Sequence, residues 1–142
     1  MSTPEKETVV KMISERYDCV LTIMKQKKIM YEGTTRNDKL VILCTPESKL
    51  HNQEHGWFDL STKQVEILDG SDMAIMAVRI EGNKVYFVEF KNLRRLMTAD
   101  MILDYSKDEK WRFYIWEDHI KIRGNDEKFY VSGEIVKTVE HA

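Results

Sequence analysis

The strongest constraint in this chain is a bend. Two apolar stretches, 73–81 and 84–91, meet at Gly82-Asn83, a pair suited to the positive φ of a tight hairpin turn. Alternate side chains of a strand share a face, so the position of the bend decides which side chains can meet. A two-residue turn places Ile80 opposite Val85, Val78 opposite Phe87, Met76 opposite Glu89 and Ala74 opposite Lys91.

Upstream, Ser2 or Thr3, then Pro4, Glu5 and Glu7, form a helix start with a cap, a first-turn proline and acids at the positive dipole end. Val9, Ile13, Tyr17, Val20, Leu21 and Met24 recur at steps of three or four, which predicts a helix over 4–27. The β-branched residues between Val20 and Ile23 allow an earlier end and a strand instead. Segments 28–32 and 39–44 read as strands around the loop 33–38. Thr45-Pro46-Glu47 reads as a helix start and Gly56 as its stop. Segments 57–60 and 64–68 then read as short strands.

Leu93, Leu96, Met97, Met101, Ile102 and Tyr105 predict a second amphipathic helix, with Arg94 and Arg95 off its apolar face. Strands at 111–116, 119–123 and 128–132 follow. Nothing in the chain resembles a linker or a low-complexity tract. The reading is one α+β domain over 1–142, in which the N-terminal helix and the second amphipathic helix pack on a mainly antiparallel sheet built from hairpins.

With 142 residues and 42% apolar side chains, the chain can bury a core without a disulfide or a metal. Its 22 basic and 24 acidic residues leave a net charge of -2. That balance removes the simplest electrostatic case for a nucleic-acid or membrane-surface protein. Cys19 and Cys44 sit among apolar residues and read as free thiols. The N-terminus has no signal-peptide pattern, and no apolar run approaches the ~20 residues of a membrane helix. A cytoplasmic, non-membrane protein is expected.

The run Trp111-Arg112-Phe113-Tyr114-Ile115-Trp116 is the most unusual local feature. Trp111, Phe113 and Ile115 occupy one face of a strand, and Tyr114 and Trp116 the other. Such a strand is either covered on both sides or offers one face to a partner. Arg112, Tyr114 and Trp116 are therefore candidate partner-binding residues, of the types that dominate protein interfaces.

Two motifs carry chemistry. Asp72, followed by a strand and Glu89-Phe90-Lys91, resembles the core of the PD-(D/E)XK nuclease family over about 20 residues of hairpin and the helix after it. The resemblance implies that Asp72 and Glu89 hold Mg²⁺ or Mn²⁺, that Lys91 helps position or activate water, and that Glu15 serves as a helix-borne acid. Strand parity puts Asp72 on the face of Glu89 and Lys91. The two-residue turn, however, sets the α-carbons of Asp72 and Glu89 roughly 13–14 Å apart. Separately, His51-Asn52-Gln53-Glu54-His55 has the order of the inverzincin metalloproteases. On a helix, residues i and i+4 share a face, so His51 and His55 form a zinc-binding alternative.

The expected function is a small accessory or regulatory module that acts by protein–protein contact, with self-association as one form of it, and without catalysis or a cofactor. The alternative is a Mg²⁺- or Mn²⁺-dependent nuclease using Asp72, Glu89 and Lys91; nucleic acid is a partner only in that case.

Overall fold

The computed structural model describes residues 3–25, 27–51, 55–105 and 108–136. The elements run in the order α1 (Lys6–Tyr17), β1 (Thr22–Ile23), β2 (Met30–Thr34), β3 (Leu40–Cys44), β4 (Glu47–His51), β5 (His55–Ser61), α2 (Thr62–Asp69), β6 (Met73–Ile80) and β7 (Lys84–Glu89). They continue with α3 (Phe90–Arg94), a 3-10 turn at Ala99–Met101, β8 (Leu103–Tyr105), β9 (Asp108–Ile115), β10 (His119–Ile122), β11 (Phe129–Tyr130) and β12 (Gly133–Ile135). This is an α+β fold with a mostly antiparallel sheet.

The strands form one hydrogen-bonded path, β1-β2-β3-β6-β4-β5-β9-β10-β11, with β7 and β12 on the other edge of β6 and β8 on β9. The path has two halves joined at β4, which pairs β6 through Glu47 and Ser48 and β5 through its later residues. On one side of the first half, α1 buries Val9 and Ile13 against Val41, Leu43, Ile75, Ala77 and Val85. Its other side packs against the second half. Ile42, Met76, Val78 and Val88 meet Phe58, Leu60, Phe113, Ile115, Ile120 and Ile122, with Val65 and Leu68 of α2 between them. The first half is thus covered twice, which explains why β6 is buried at seven of its eight positions. Among the described residues the second half is covered on one face, and β5 alternates strictly between half-buried and buried.

Several elements differ from the sequence expectation, each for a local reason. The first helix ends at Tyr17, because Asp18 takes a left-handed conformation (φ 51°) and Cys19 N–H closes onto Ser14 O. Thr22–Ile23 then pairs with β2. Glu5 occupies the N-cap without a side-chain bond, so Pro4 precedes the helix instead of opening it.

The Thr45-Pro46 signal starts no helix. Pro46 O accepts the Arg79 N–H at 2.9 Å, and the chain continues as strand β4; pairing across the fold overrides the local signal. Segment 64–68 is helical instead of extended. Ser61 and Gln64 form a reciprocal capping box, and Val65 and Leu68 bury one face. The second long helix is also absent: α3 covers five residues, the 3-10 turn follows, and Leu103 pairs with Lys110 as strand.

The hairpin bend is one residue longer than expected. Ile80 pairs with Lys84, so Glu81, Gly82 and Asn83 form a three-residue loop with positive φ at Gly82 (94°) and Asn83 (54°). Every cross-strand pair therefore slips by one, and Ile75, not Met76, faces Glu89.

Both cysteines are free, with Cys44 fully buried and Cys19 half-buried. Burial pushes the Cys44 thiol up to about 12, with Arg79 pulling weakly the other way. An acid raised above its unfolded value stabilises the fold below the unfolded pKa and loses that contribution as pH rises toward 12, at about 1.4 kcal/mol per unit. At about pH 8 a disulfide reagent should therefore modify one thiol of the native chain, the half-buried Cys19, whose pKa burial and then Asp18 also raise, and reach Cys44 only on unfolding. Two fast equivalents in the native state would contradict the burial of Cys44.

Candidate functional site

The face of the second half that no described helix covers is organised by register. β5, β9 and β10 run side by side with Gly56 opposite Ile115, Trp57 opposite Tyr114, and Tyr114 opposite Lys121. The inward residues Phe58, Leu60, Trp111, Phe113, Ile115, Ile120 and Ile122 are buried. Their neighbours in sequence must point outward, and they form three rows across the strands.

The first row is His55, Trp116, His119 and Tyr130. His55 stacks on Trp116 at 5.0 Å and 27°, and Trp116 on His119 at 4.6 Å and 9°. Tyr130, paired with His119, lies 6.3 Å beyond and is exposed. The ring spacings match the ~4.8 Å between strands, so the ladder is a consequence of the sheet itself. β5 and β10 flank β9 on opposite edges, and the two imidazoles therefore cover both faces of the indole. Asp118 accepts from His119 Nδ1 at 2.6 Å. That bond is the main reason the Asp118 carboxyl is held below its usual range.

The second row is Trp57, Tyr114 and Lys121. The Lys121 ammonium lies 5.7 Å from the Trp116 ring, and Tyr114 meets His55 edge-on at 5.8 Å. The third row is ionic. Asp59 accepts both Nε (2.9 Å) and Nη2 (3.0 Å) of Arg112 and lies 3.4 Å from Lys110 Nζ. Arg112 in turn sits 4.3 Å over the Trp57 ring. Arg123 continues this row through its N–H to Arg112 O.

The buried residues of α1, α2 and α3 belong to the two core clusters, and neither cluster includes Trp57, Tyr114 or Trp116. Arg112, Tyr114 and Trp116 thus share one outward face. The sequence reading did not name Trp57, His119 or Tyr130 as site residues. The alternation of His55, Trp57 and Asp59 with Gly56, Phe58 and Leu60 carried the signal, but the helix expected up to Gly56 obscured it.

Asp72, Glu89 and Lys91 also come together, in a cleft of about 180 Å³ that Tyr17 and Ile75 help to line. They arrive by another route than the hairpin alone suggested. Glu89 is the last residue of β7 and Lys91 already belongs to α3, so the two do not share a strand face. Asp72 lies three residues from the partner of Glu89, roughly 10 Å along the strand direction.

Each of the three has an internal partner. Leu40 N–H donates to Asp72 Oδ2 at 2.8 Å, Lys91 Nζ to Ser71 O at 2.6 Å, and Asn92 Nδ2 to Glu89 Oε2 at 3.1 Å. Burial, with Glu89 second, raises the Tyr17 phenol. Glu15 is exposed on α1 and does not line this cleft. Among the described residues no group of three or more His, Cys, Asp or Glu is placed to hold a metal.

His51 and His55 are cross-strand partners in a hairpin, not neighbours on a helix. Glu54 lies outside the described residues. The His55 ring is engaged with Trp116 and Tyr114.

Among the described residues no helix is long and apolar enough to cross a membrane. Comparison with protein-family models, with curated proteins and with solved structures found no match.

Proposed function

We propose that the protein is a non-catalytic accessory or regulatory module that works by contact with another protein through the outer face of β5, β9 and β10. The supporting observation is the packing of His55, Trp57, Tyr114 and Trp116 on a sheet face that no described helix covers. Trp, Tyr and Arg are the residues that anchor protein interfaces, because each combines a large apolar area with a polar handle. A fold that used this face only to meet water would gain little from two indoles there.

The test is a photo-crosslinking amino acid at position 114 in the producing cell. A discrete protein adduct is expected from position 114 and none from position 66, on the exposed side of α2. Equal labelling from both positions, or none from 114, would remove the reading. An adduct at twice the chain mass would identify the partner as a second copy.

A second reading, the Mg²⁺- or Mn²⁺-dependent nuclease, keeps one observation in its favour: Asp72, Glu89 and Lys91 line one cleft. Cleavage of DNA or RNA that needs the divalent ion and disappears in Glu89→Ala would replace the first reading by this one.

A further inference from the structure

The cleft at the end of α1 has a second hollow beside it. The first, of about 180 Å³, is lined by Tyr17, Asp72, Met73, Ile75, Glu89 and Lys91. The second, of about 170 Å³, shares Tyr17, Ile75 and Glu89 with it and adds Ile13, Arg16 and Phe87. Together they make a short groove along β6 and β7. Met73, Ile75 and Phe87 lie on the α1 side of the sheet, and Tyr17 is the last residue of the helix. Tyr17, Met73 and Phe87 are only partly buried, so floor and wall still present apolar surface.

This groove carries both signs of charge. Asp72 and Glu89 each accept one neutral N–H, from the Leu40 amide and the Asn92 side chain. Neither has a base at salt-bridge distance among the described residues. Lys91 Nζ donates to Ser71 O at 2.6 Å, and an ammonium has further N–H donors to give. At the far end Arg16 is already engaged, 3.6 Å from Glu134 and 4.7 Å over the Phe87 ring. The raised Tyr17 phenol stays protonated and remains a donor at the waist of the groove.

We propose that this groove binds a free α-amino acid with an apolar side chain, of leucine or phenylalanine type. Its ammonium meets Asp72 and Glu89, its carboxylate meets Lys91, and its side chain lies on Met73 and Ile75 toward Phe87. Simpler ligands meet an opposing charge. A plain carboxylate faces two acids, and a plain amine comes to rest beside the Lys91 ammonium. Size excludes larger ones. Each hollow is well below the ~300–1,000 Å³ of sites that hold drug-sized ligands. Asp72, Glu89 and Lys91 are exposed, so solvent screens their attraction and the affinity is modest.

The test uses the full chain and five probes: L-leucine, L-phenylalanine, N-acetyl-L-leucine, L-leucinamide and glycine. Binding is followed by amide shifts in proton–nitrogen correlation spectra. Leucine and phenylalanine should bind saturably, with Kd on the order of 1 mM, and the shifts should centre on 72–75 and 87–91. N-acetyl-leucine lacks the ammonium, leucinamide the carboxylate and glycine the side chain. Each should bind at least tenfold more weakly than leucine. Glu89→Gln should weaken leucine at least fivefold with circular dichroism unchanged. Lys91→Met should do the same to leucine while leaving leucinamide unchanged or tighter.

The absence of saturation by leucine and phenylalanine at about 10 mM would overturn the proposal, as would shifts scattered away from the groove. Equal binding of leucine, N-acetyl-leucine and leucinamide would overturn it too, because the two charged ends would then play no part. Mg²⁺ that shifts these amides where leucine does not would assign the cleft to the nuclease reading instead.

Discussion

Phe113→Ala is expected to destabilise the protein by about 3–5 kcal/mol, lowering its thermal midpoint by roughly 10 °C or more. Phe113 has no exposed surface and stacks on Phe58 with ring centres 5.0 Å apart and planes within 10°. It pairs with Phe58 on one neighbouring strand and Ile122 on the other, so three strands converge at this side chain. The hydrogen-bond ladders on both sides hold the backbone in place, and the first half of the sheet closes the space above it. The site therefore cannot collapse around an alanine, and a cavity remains. A domain has only about 5–15 kcal/mol of stability in total, so the variant sits near the edge of folding. Urea unfolding measures the loss. Tyr114→Ala, one residue along but on the outer face, should cost no more than about 1 kcal/mol. Similar losses at 113 and 114 would mean that β9 does not divide its two faces between core and surface.

That division was legible in the sequence because it follows from a period of two in a run of six residues. The N-terminal stripe of Val9 and Ile13 was legible for the same reason, at a helical period. What failed was everything decided by partners far along the chain. Thr45-Pro46-Glu47 carries a sound helix-start signal, but the Arg79 N–H and the edge of β6 draw this segment into a strand. Ser61-x-x-Gln64 carried a capping-box signal that the apolar alternation of 64–68 masked. Periodicity tells which face a side chain takes and is silent on which strand lies next to it. The pairing of β5 with β9, some 50 residues apart, and with it the row His55–Trp116–His119, lay beyond that kind of reading. The hairpin shows how narrow the margin is. One extra loop residue, Glu81, moved the partner of Glu89 from Met76 to Ile75 and changed the geometry of the acidic cleft.

The same bend region contains the residue with the second-largest expected effect. Arg79 is 8% exposed, yet no carboxylate pairs with its guanidinium at salt-bridge distance among the described residues. Its Nε and Nη2 donate to Thr45 O at 3.2 and 3.1 Å, and Nη1 donates to Pro4 O at 3.1 Å. Burial lowers its pKa from the usual arginine value, and Glu47 leads the groups that oppose this. The guanidinium therefore ties three segments together: the approach to α1, the end of β3 and the strand β6. Arg79→Ala is expected to cost about 2–4 kcal/mol, because it removes charge-assisted bonds and leaves buried carbonyls without donors. Arg79→Lys should recover only part of this, since an ammonium cannot present the same planar fork to Thr45 O and Pro4 O. Arg79→Met is the decisive variant. It keeps the apolar stem and much of the volume but supplies no donor, so a cost close to that of alanine assigns the effect to hydrogen bonding. A near-neutral methionine would instead mean that desolvation of the charge cancels what its bonds contribute, as in some buried ion pairs. Hydrogen exchange separates the two outcomes further. Loss of the Pro4 tie should speed exchange in the first turns of α1 in both Ala and Met variants, while the amides of β9, on the far side of the core, keep their relative protection.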